Sequence, residues 1–326
     1  MDRHTLTSDQ LTVEVRALGA ALNRVVAHTA DGDVDLVLGH ASDADRAAGK
    51  FYLGELVGPT ANRIAGGRFT LEGVEHVIAT NDRGNTLHGG PHGFSTKEWT
   101  ITEATDDHVS LRLAWSDATG GHPGNLVVGL TYTLTGAELT HVITLTTDAT
   151  TLASPCSHPY VNLAGSGTIA DQVLTVRASR VLFIDDTGIP QGDPVDVVGT
   201  PFDLRAGVRL GDALASDHPQ AIAVEGIDHA FVLDAVGLDG EPCAELADPA
   251  SGRRLEIWTD QPSLQVFTGA GLHEVSAGLA GPYVDHAGVA LETQNYPNAA
   301  NRPDYPSTLL RPGETFTSTT RWRVTA

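Results

Sequence analysis

Val128-Gly-Leu-Thr-Tyr-Thr-Leu-Thr-Gly-Ala-Glu138 places apolar side chains at 128, 130, 132 and 134 and then a glycine-containing turn. Side chains of an extended chain alternate between two faces, so a period of two describes a half-buried strand that closes on a hairpin tip. The same alternation occurs at Leu11, Val13 and Val15, and at Leu255 and Ile257 with Trp258 following. Leu71-Glu-Gly-Val74 and Asp248-Pro-Ala-Ser-Gly252 supply two more turns of the kind that joins neighbouring strands. Long segments with a 3.6-residue period are missing, and the 35 glycines and 17 prolines are spread evenly, which leaves no linker, repeat or low-complexity tract. The expected fold class is all-β, a large antiparallel β-sandwich formed by residues 1–326 as a single domain.

Composition narrows the function classes. With 41 acidic and 20 basic residues the chain carries a formal charge of -21, scattered along its length. Such a surface repels phosphate backbones and anionic lipid, so neither nucleic acid nor membrane is an expected partner. Cys156 and Cys243 are the only cysteines, too few and too far apart for a disulfide framework or a thiolate metal site. The N-terminal residues lack the basic start and apolar run of an export signal, and no run of about 18 apolar residues occurs. A cytoplasmic protein, monomer or homodimer, is the simplest reading.

Four stretches break the strand pattern and are rich in Gly, Pro, His and Asn: 58–67, 84–94, 154–167 and 292–307. Loops on a rigid sheet are where sites usually lie. In Leu87-His-Gly-Gly-Pro-His-Gly-Phe94 the glycines and proline exclude the helix that would bring His88 and His92 to one metal ion, while allowing close backbone approach to a ligand beside His88. Ser157-His-Pro-Tyr-Val-Asn-Leu-Ala-Gly165 offers His158, Tyr160 and Asn162, groups able to reach sugar hydroxyls, and a histidine at 158 is able to work as a general acid near neutral pH. The apolar run Gly288-Val-Ala-Leu291 leads into Glu292, a carboxylate at the point where a buried strand emerges into a loop and where desolvation raises its proton affinity. Gly58-Pro-Thr-Ala-Asn-Arg-Ile64 and Glu225-Gly-Ile-Asp-His-Ala-Phe231 add Asn62, Arg63 and Asp228, which suit a polyhydroxylated ligand. Taken singly, each motif also reads as a structural turn, a surface acid or a carboxylate paired with an arginine. No phosphate loop, dinucleotide fingerprint, Gly-x-Ser-x-Gly elbow or cysteine ligand set is present, so neither cofactor nor metal is expected.

In this order the segments resemble the aldose 1-epimerases, or galactose mutarotases. Ala61-Asn-Arg-Ile, Leu87-His-Gly-Gly-Pro-x-Gly-Phe, His158-x-Tyr-x-Asn-Leu-Ala-Gly, Gly226-x-Asp-His-x-Phe, Leu291-Glu-Thr-Gln-x-Tyr-Pro and Arg311-Pro-Gly-Glu carry the likeness, with Asp186-Thr-Gly-Ile-Pro-x-Gly and Gly199-Thr-Pro-Phe-Asp-Leu-Arg between them. It extends from about residue 10 to the C-terminus. The resemblance implies a supersandwich with an open cleft for one monosaccharide. It also implies His158 as proton donor and Glu292 as proton acceptor, with Asn62, Arg63, His88, Tyr160, Asp228 and Gln265 around the sugar; Gln265 lies in Leu264-Gln-Val-Phe-Thr-Gly269. Pro59, Ser157, Phe267 and Ala270 stand where the family often has Arg, Asn, Tyr and Asn, departures that bear on substrate preference. Two alternatives stay open. One is a hexose-6-phosphate 1-epimerase, which needs extra cationic groups around a phosphate; the other is a non-catalytic carbohydrate-binding protein using Trp99, Trp258 or Tyr296 as platforms, although both tryptophans read more readily as core.

Overall fold

The computed structural model describes residues 2–117 and 120–326, and in it the hairpins close where the turn residues stand. Thr135 pairs with Glu138, Leu71 with Val74, and Ala247 with Arg254 across the Asp248–Gly252 turn. Glu72 and Gly73 both have positive φ, the geometry that lets a two-residue loop follow the right-handed twist of its strands.

Three sheets hold most of the strand residues. A nine-stranded sheet runs in the order Thr100–Ala104, His108–Ser116, Asn125–Thr135, Glu138–Thr147, Phe316–Thr325, Arg254–Thr259, Ala244–Ala247, Val173–Val176, Val208–Arg209. A six-stranded sheet runs in the order Tyr160–Val161, Val289–Gln294, Ser263–Phe267, Asp228–Val232, Arg180–Leu182, Val195–Asp196. Arg3–Thr7, Leu11–Arg16, Ala21–Thr29 and Gly32–Asp35 form a four-stranded sheet. Pairing within all three is antiparallel. One continuous core joins them: Leu130, Tyr132, Ile257 and Trp322 from the first, Phe231, Leu264, Val266, Val289 and Leu291 from the second, Val13, Val15 and Leu22 from the third. This is the antiparallel β-sandwich read from the alternation, with Trp99 in its core and Trp258 buried on the other face of the nine-stranded sheet beneath Arg321 and Arg323. Among the described residues the α-helices are short, Asp43–Ala48 being the longest, and no helix is long and apolar enough to cross a membrane.

The stretches read as loops are more tightly tied than their composition suggests. Segments 58–67 and 84–94 are joined by a two-residue ladder, Arg63 with Leu87 and Ile64 with Thr86. Glu292 lies inside the strand Val289–Gln294, two residues before its end, instead of at its exit. Buried backbone groups must find partners, and these ladders provide them.

Gly89 shows how closely the ladder packs. Its φ is +81°, and an added Cβ would stand 1.9 Å from the carbonyl oxygen of Gly58. Gly89→Ala should therefore lose at least ~2 kcal/mol of unfolding free energy, from left-handed strain plus displacement of the 58 segment; urea denaturation checks this, and an unchanged midpoint would contradict it. A second expectation concerns acid. His122, His141 and His229 are buried in the scaffold, and burial lowers each ring to about 4. A ring whose folded value is depressed contributes stability that is present above its unfolded value near 6.5 and is lost as pH falls through the folded value, about 3 kcal/mol per ring. Urea midpoints should thus fall steeply between neutrality and about pH 4; a midpoint indifferent to pH over that interval would overturn the account.

Candidate active site

Period-two alternation in the six-stranded sheet builds one wall of a cleft. In Val289–Gln294 the odd residues Val289 and Leu291 enter the core, which turns Ala290, Glu292 and Gln294 to the opposite face. Leu264 and Val266 likewise enter the core and leave Gln265 and Phe267 on that face. The register then aligns two rows across the strands. Tyr160, Ala290, Phe267 and Asp228 form one; Glu292, Gln265 and Ala230 form the next.

The opposite wall comes from loops. His158 follows the short pairing of Cys156 with Val57 and Ser157 with Leu56, and its backbone is gripped on both sides: its N–H donates to Glu55 O and its C=O accepts from Gly54 N–H, each at 3.0 Å. His88 and Asn62 are joined by the bond from His88 N–H to Asn62 O at 3.0 Å. The resulting cleft, about 210 Å³, is lined by Asn62, Arg63, His88, His158, Tyr160, Asp228 and Glu292, together with Lys50, Phe51, Tyr52, Asp82, Leu87 and Phe267. Seven of the eight residues expected from the sequence therefore meet in one place. Gln265 does not line the cleft: it is buried and donates from Nε2 to Asp228 Oδ1 at 2.6 Å. Of the four departures, Phe267 reaches the cleft, while Pro59, Ser157 and Ala270 are not among its lining residues. Tyr52, Asp82 and Phe51 escaped the sequence reading, since nothing in Phe51-Tyr-Leu-Gly marks these side chains as neighbours of His88 and His158.

At the centre His158 Nε2 stands 3.4 Å from Glu292 Oε1, with both side chains almost fully buried. Burial pushes the Glu292 carboxyl up to about 8, with the Cys156 thiol and Arg63 pulling the other way. The same loss of water lowers the His158 ring to about 4. Tyr52 packs on both imidazoles, with ring centroids 4.7 Å from His88 and 5.9 Å from His158, and burial raises its phenol to about 12. Tyr160, whose ring centroid lies 5.0 Å from His158, is pushed well above the ordinary phenol value, so it enters the chemistry only as a neutral hydrogen-bonder. Arg63 donates from Nε to Asp82 Oδ2 at 2.8 Å and lies 4.0 Å from Asp228 Oδ2.

Nitrogen and oxygen atoms of His88, His158 and Glu292 lie within 4.8 Å of one another, a donor set that could hold a divalent metal. The surroundings do not fit that use. Asn62 donates its backbone N–H to His88 Nδ1 at 3.2 Å, so this nitrogen is the bare one and Nε2 carries the proton. A ligating nitrogen must be bare; His88 Nε2 is instead a donor suited to a sugar oxygen.

What the arrangement offers is one proton held between a carboxylate and an imidazole, ringed by donors and acceptors for hydroxyls. Comparison with known proteins shows the family. The family profile of aldose 1-epimerase matches residues 2–323. Galactose mutarotase of Sus scrofa is 39% identical over 99% of this chain and 94% of its own, and aldose 1-epimerase of Escherichia coli is 33% identical over 97% of this chain and 92% of its own. A crystal structure of an aldose epimerase homologue from C. elegans superposes with a TM-score of 0.92 at 26% identity, covering 99% of this chain and 98% of that one. The profile match over residues 2–323 and relatedness along almost the whole length make the chain a member of the aldose 1-epimerase family.

Proposed function

We infer that this chain interconverts the α and β anomers of a free hexose or pentose by opening and closing the sugar ring. The observation that carries the reading is the contact of His158 Nε2 with Glu292 Oε1 at 3.4 Å inside the cleft. Its volume of about 210 Å³ is below the ~300–1,000 Å³ typical of drug-sized ligands and suits one sugar ring.

Anomer exchange needs one proton to leave O1 while another reaches the ring oxygen. Glu292 takes the O1 proton and protonated His158 donates to O5, giving the open aldehyde; rotation about C1–C2 exposes its other face, and closure with the roles reversed forms the other anomer. In the empty cleft burial holds the proton on Glu292. The gap between about 8 and about 4 corresponds to about 5 kcal/mol for moving it to the imidazole. Transfer creates an ion pair whose attraction at 3.4 Å, with an effective dielectric of ~20, is also about 5 kcal/mol. That attraction opposes the burial cost of separating the charges, so the acid and base can exchange their proton in either direction of the reaction. His88 Nε2–H and Arg63 steady the developing oxygen charge, Asp228 accepts from a hydroxyl remote from C1, Asn62 and Tyr160 hold other hydroxyls, and Gln265 fixes Asp228.

The hexose-phosphate reading is weakened by the charges around the cleft. Asp82, Asp228 and Glu292 line it, Arg63 is already paired with Asp82, and the exposed Lys50 pairs with Glu274 at 3.2 Å. A binding protein built on aromatic platforms is disfavoured by the burial of Trp99 and Trp258, and Tyr296 meets Tyr305 edge to face. The free, buried thiols of Cys156 and Cys243 and the charge of -21 support a cytoplasmic enzyme acting as one β domain on a monosaccharide, without nucleic acid.

Polarimetry with glucose, galactose, xylose and arabinose, corrected for spontaneous mutarotation, tests the assignment. Glu292→Gln and His158→Asn should each lower kcat by roughly 10²–10⁴ with the fold retained, while Asp228→Asn should act mainly on KM, by about tenfold; near wild-type kcat in either of the first two would rule out the pair. The pH profile is a separate check. Below about 4 His158 takes a second proton and no base remains; above about 8 Glu292 loses the shared proton and no acid remains. Thus kcat/KM should be level across the one-proton interval and fall at its alkaline edge near pH 8. A rate still climbing well beyond that edge would contradict the shared-proton account.

A further inference from the structure

The carboxylate of Glu292 is held from two directions. Oε1 faces His158 Nε2 at 3.4 Å, and Oε2 accepts from the Cys156 thiol at 3.4 Å. Gln294 Oε1, 3.7 Å from the sulfur, is a longer and competing acceptor for the same S–H proton. Gln294 stands two residues beyond Glu292 in the same strand and so on the same face. Cys156 is 1% exposed and is pinned to the scaffold by its pairing with Val57. Two residues later comes His158, so one short segment contacts both oxygens of the carboxylate.

We propose that Cys156 is a positioning residue for the reaction: its thiol fixes Glu292 Oε2 at the rear of the cleft and leaves Oε1 as the oxygen presented to His158 and to the sugar. This rests on the reading of Glu292 as the base. The terminal torsion of a glutamate is broad, so an unanchored carboxylate samples orientations in which neither oxygen meets O1. A thiol is a weak donor, unlike a hydroxyl or a backbone N–H. It therefore orients the carboxylate while stabilising its charged form only slightly, and the base keeps the high proton affinity that burial confers. The titratable and charged groups facing Glu292 are His158, Cys156 and Tyr160 from the 156–160 segment, His88 from its loop, Asp228 from the next strand but one in the sheet, and Arg63.

Cys156→Ala, Cys156→Ser and Glu292→Gln, compared by polarimetry over the full pH profile, test the proposal. Cys156→Ala removes the donor: kcat should fall roughly tenfold with KM unchanged, and the alkaline limb should move up by about half a pH unit because the carboxylate loses a stabilising bond. Cys156→Ser restores a donor, and a stronger one, so most of kcat should return while the same limb moves below its wild-type position. A thiol that merely fills space would change thermal stability and leave the limb where it is. An alanine variant with kcat within about twofold of wild type and an unmoved limb overturns the proposal; where alanine does not fold, a folded serine variant with an unmoved limb does so equally. If Glu292→Gln is inactive while the Cys156 profiles overlay the wild type, only the role of Cys156 fails. If Glu292→Gln turns over normally, the base assignment fails and the role of Cys156 with it.

Discussion

A carboxyl group and an imidazole held out of water 3.4 Å apart set the terms for the residues around them. Ionised and unpaired, either would cost several kcal/mol in so dry a place. As a pair sharing one proton, the two satisfy each other in both arrangements: neutral acid with neutral ring, or carboxylate with imidazolium. Water would destroy that balance by solvating the charged form of each separately. The rings of Tyr52 and Tyr160 pack against the His158 imidazole, and Phe267 packs on Tyr160. Sealing the pair and poising its proton are thus one physical act, and the large core beneath the six-stranded sheet supplies the energy to hold it.

The two walls divide the remaining work. From the sheet come acceptors on rigid strands, with Asp228 steadied by Gln265 before any ligand arrives. From the loops come donors, held by unusual backbone. Tyr52, Asn62 and His88 all have positive φ, at 54°, 56° and 54°. For residues other than glycine that conformation costs about 1–2 kcal/mol each, and it persists where surrounding structure over-determines it. Here the ladder of Arg63 with Leu87 and the bond from Asn62 N–H to His88 Nδ1 do so, and that bond also decides which nitrogen of His88 is the donor. Strain in these loops is converted into orientation, which is what a ligand rich in hydroxyls requires.

Period-two alternation made the scaffold legible, because hairpins such as Thr135–Glu138 are local and their turn residues stand next to the strands they join. Motifs that carry a His, an Asp or an Asn beside Gly and Pro read singly as turns, and it was their order along the chain, through the family resemblance, that drew them together. Tyr52, Asp82 and Cys156 were not legible. Each acquires its role from pairing over long separations: Cys156 reaches Glu292 across 136 positions, and Arg63 must be placed by Leu87 before it can engage Asp82. Glu292-Thr-Gln-Asn-Tyr-Pro looks like a loop because polar residues dominate it, yet Glu292, Thr293 and Gln294 are all buried. Polarity along a strand marks a solvated face in most proteins, and here the polar face is turned into a dry cleft. Gln265 was placed on the correct strand, but its partner is Asp228 and not the cleft itself.

That same alternation makes fold and chemistry inseparable in the strand Val289–Gln294. Leu291 and Glu292 differ by one position, yet one belongs to the core and the other to the cleft. A slip of one residue would exchange them, driving a carboxylate into a core of Leu264, Val266 and Phe231 and turning a leucine toward His158. Such a state would forfeit about 1.5–3 kcal/mol for the leucine and several more for the buried acid. The pairing of Gln265 with Glu292 is therefore enforced by hydrophobic burial on the far side of the strand, not by anything in the cleft. On the proposed reading of Glu292 as the base, its placement follows from core packing on the opposite face of its own strand.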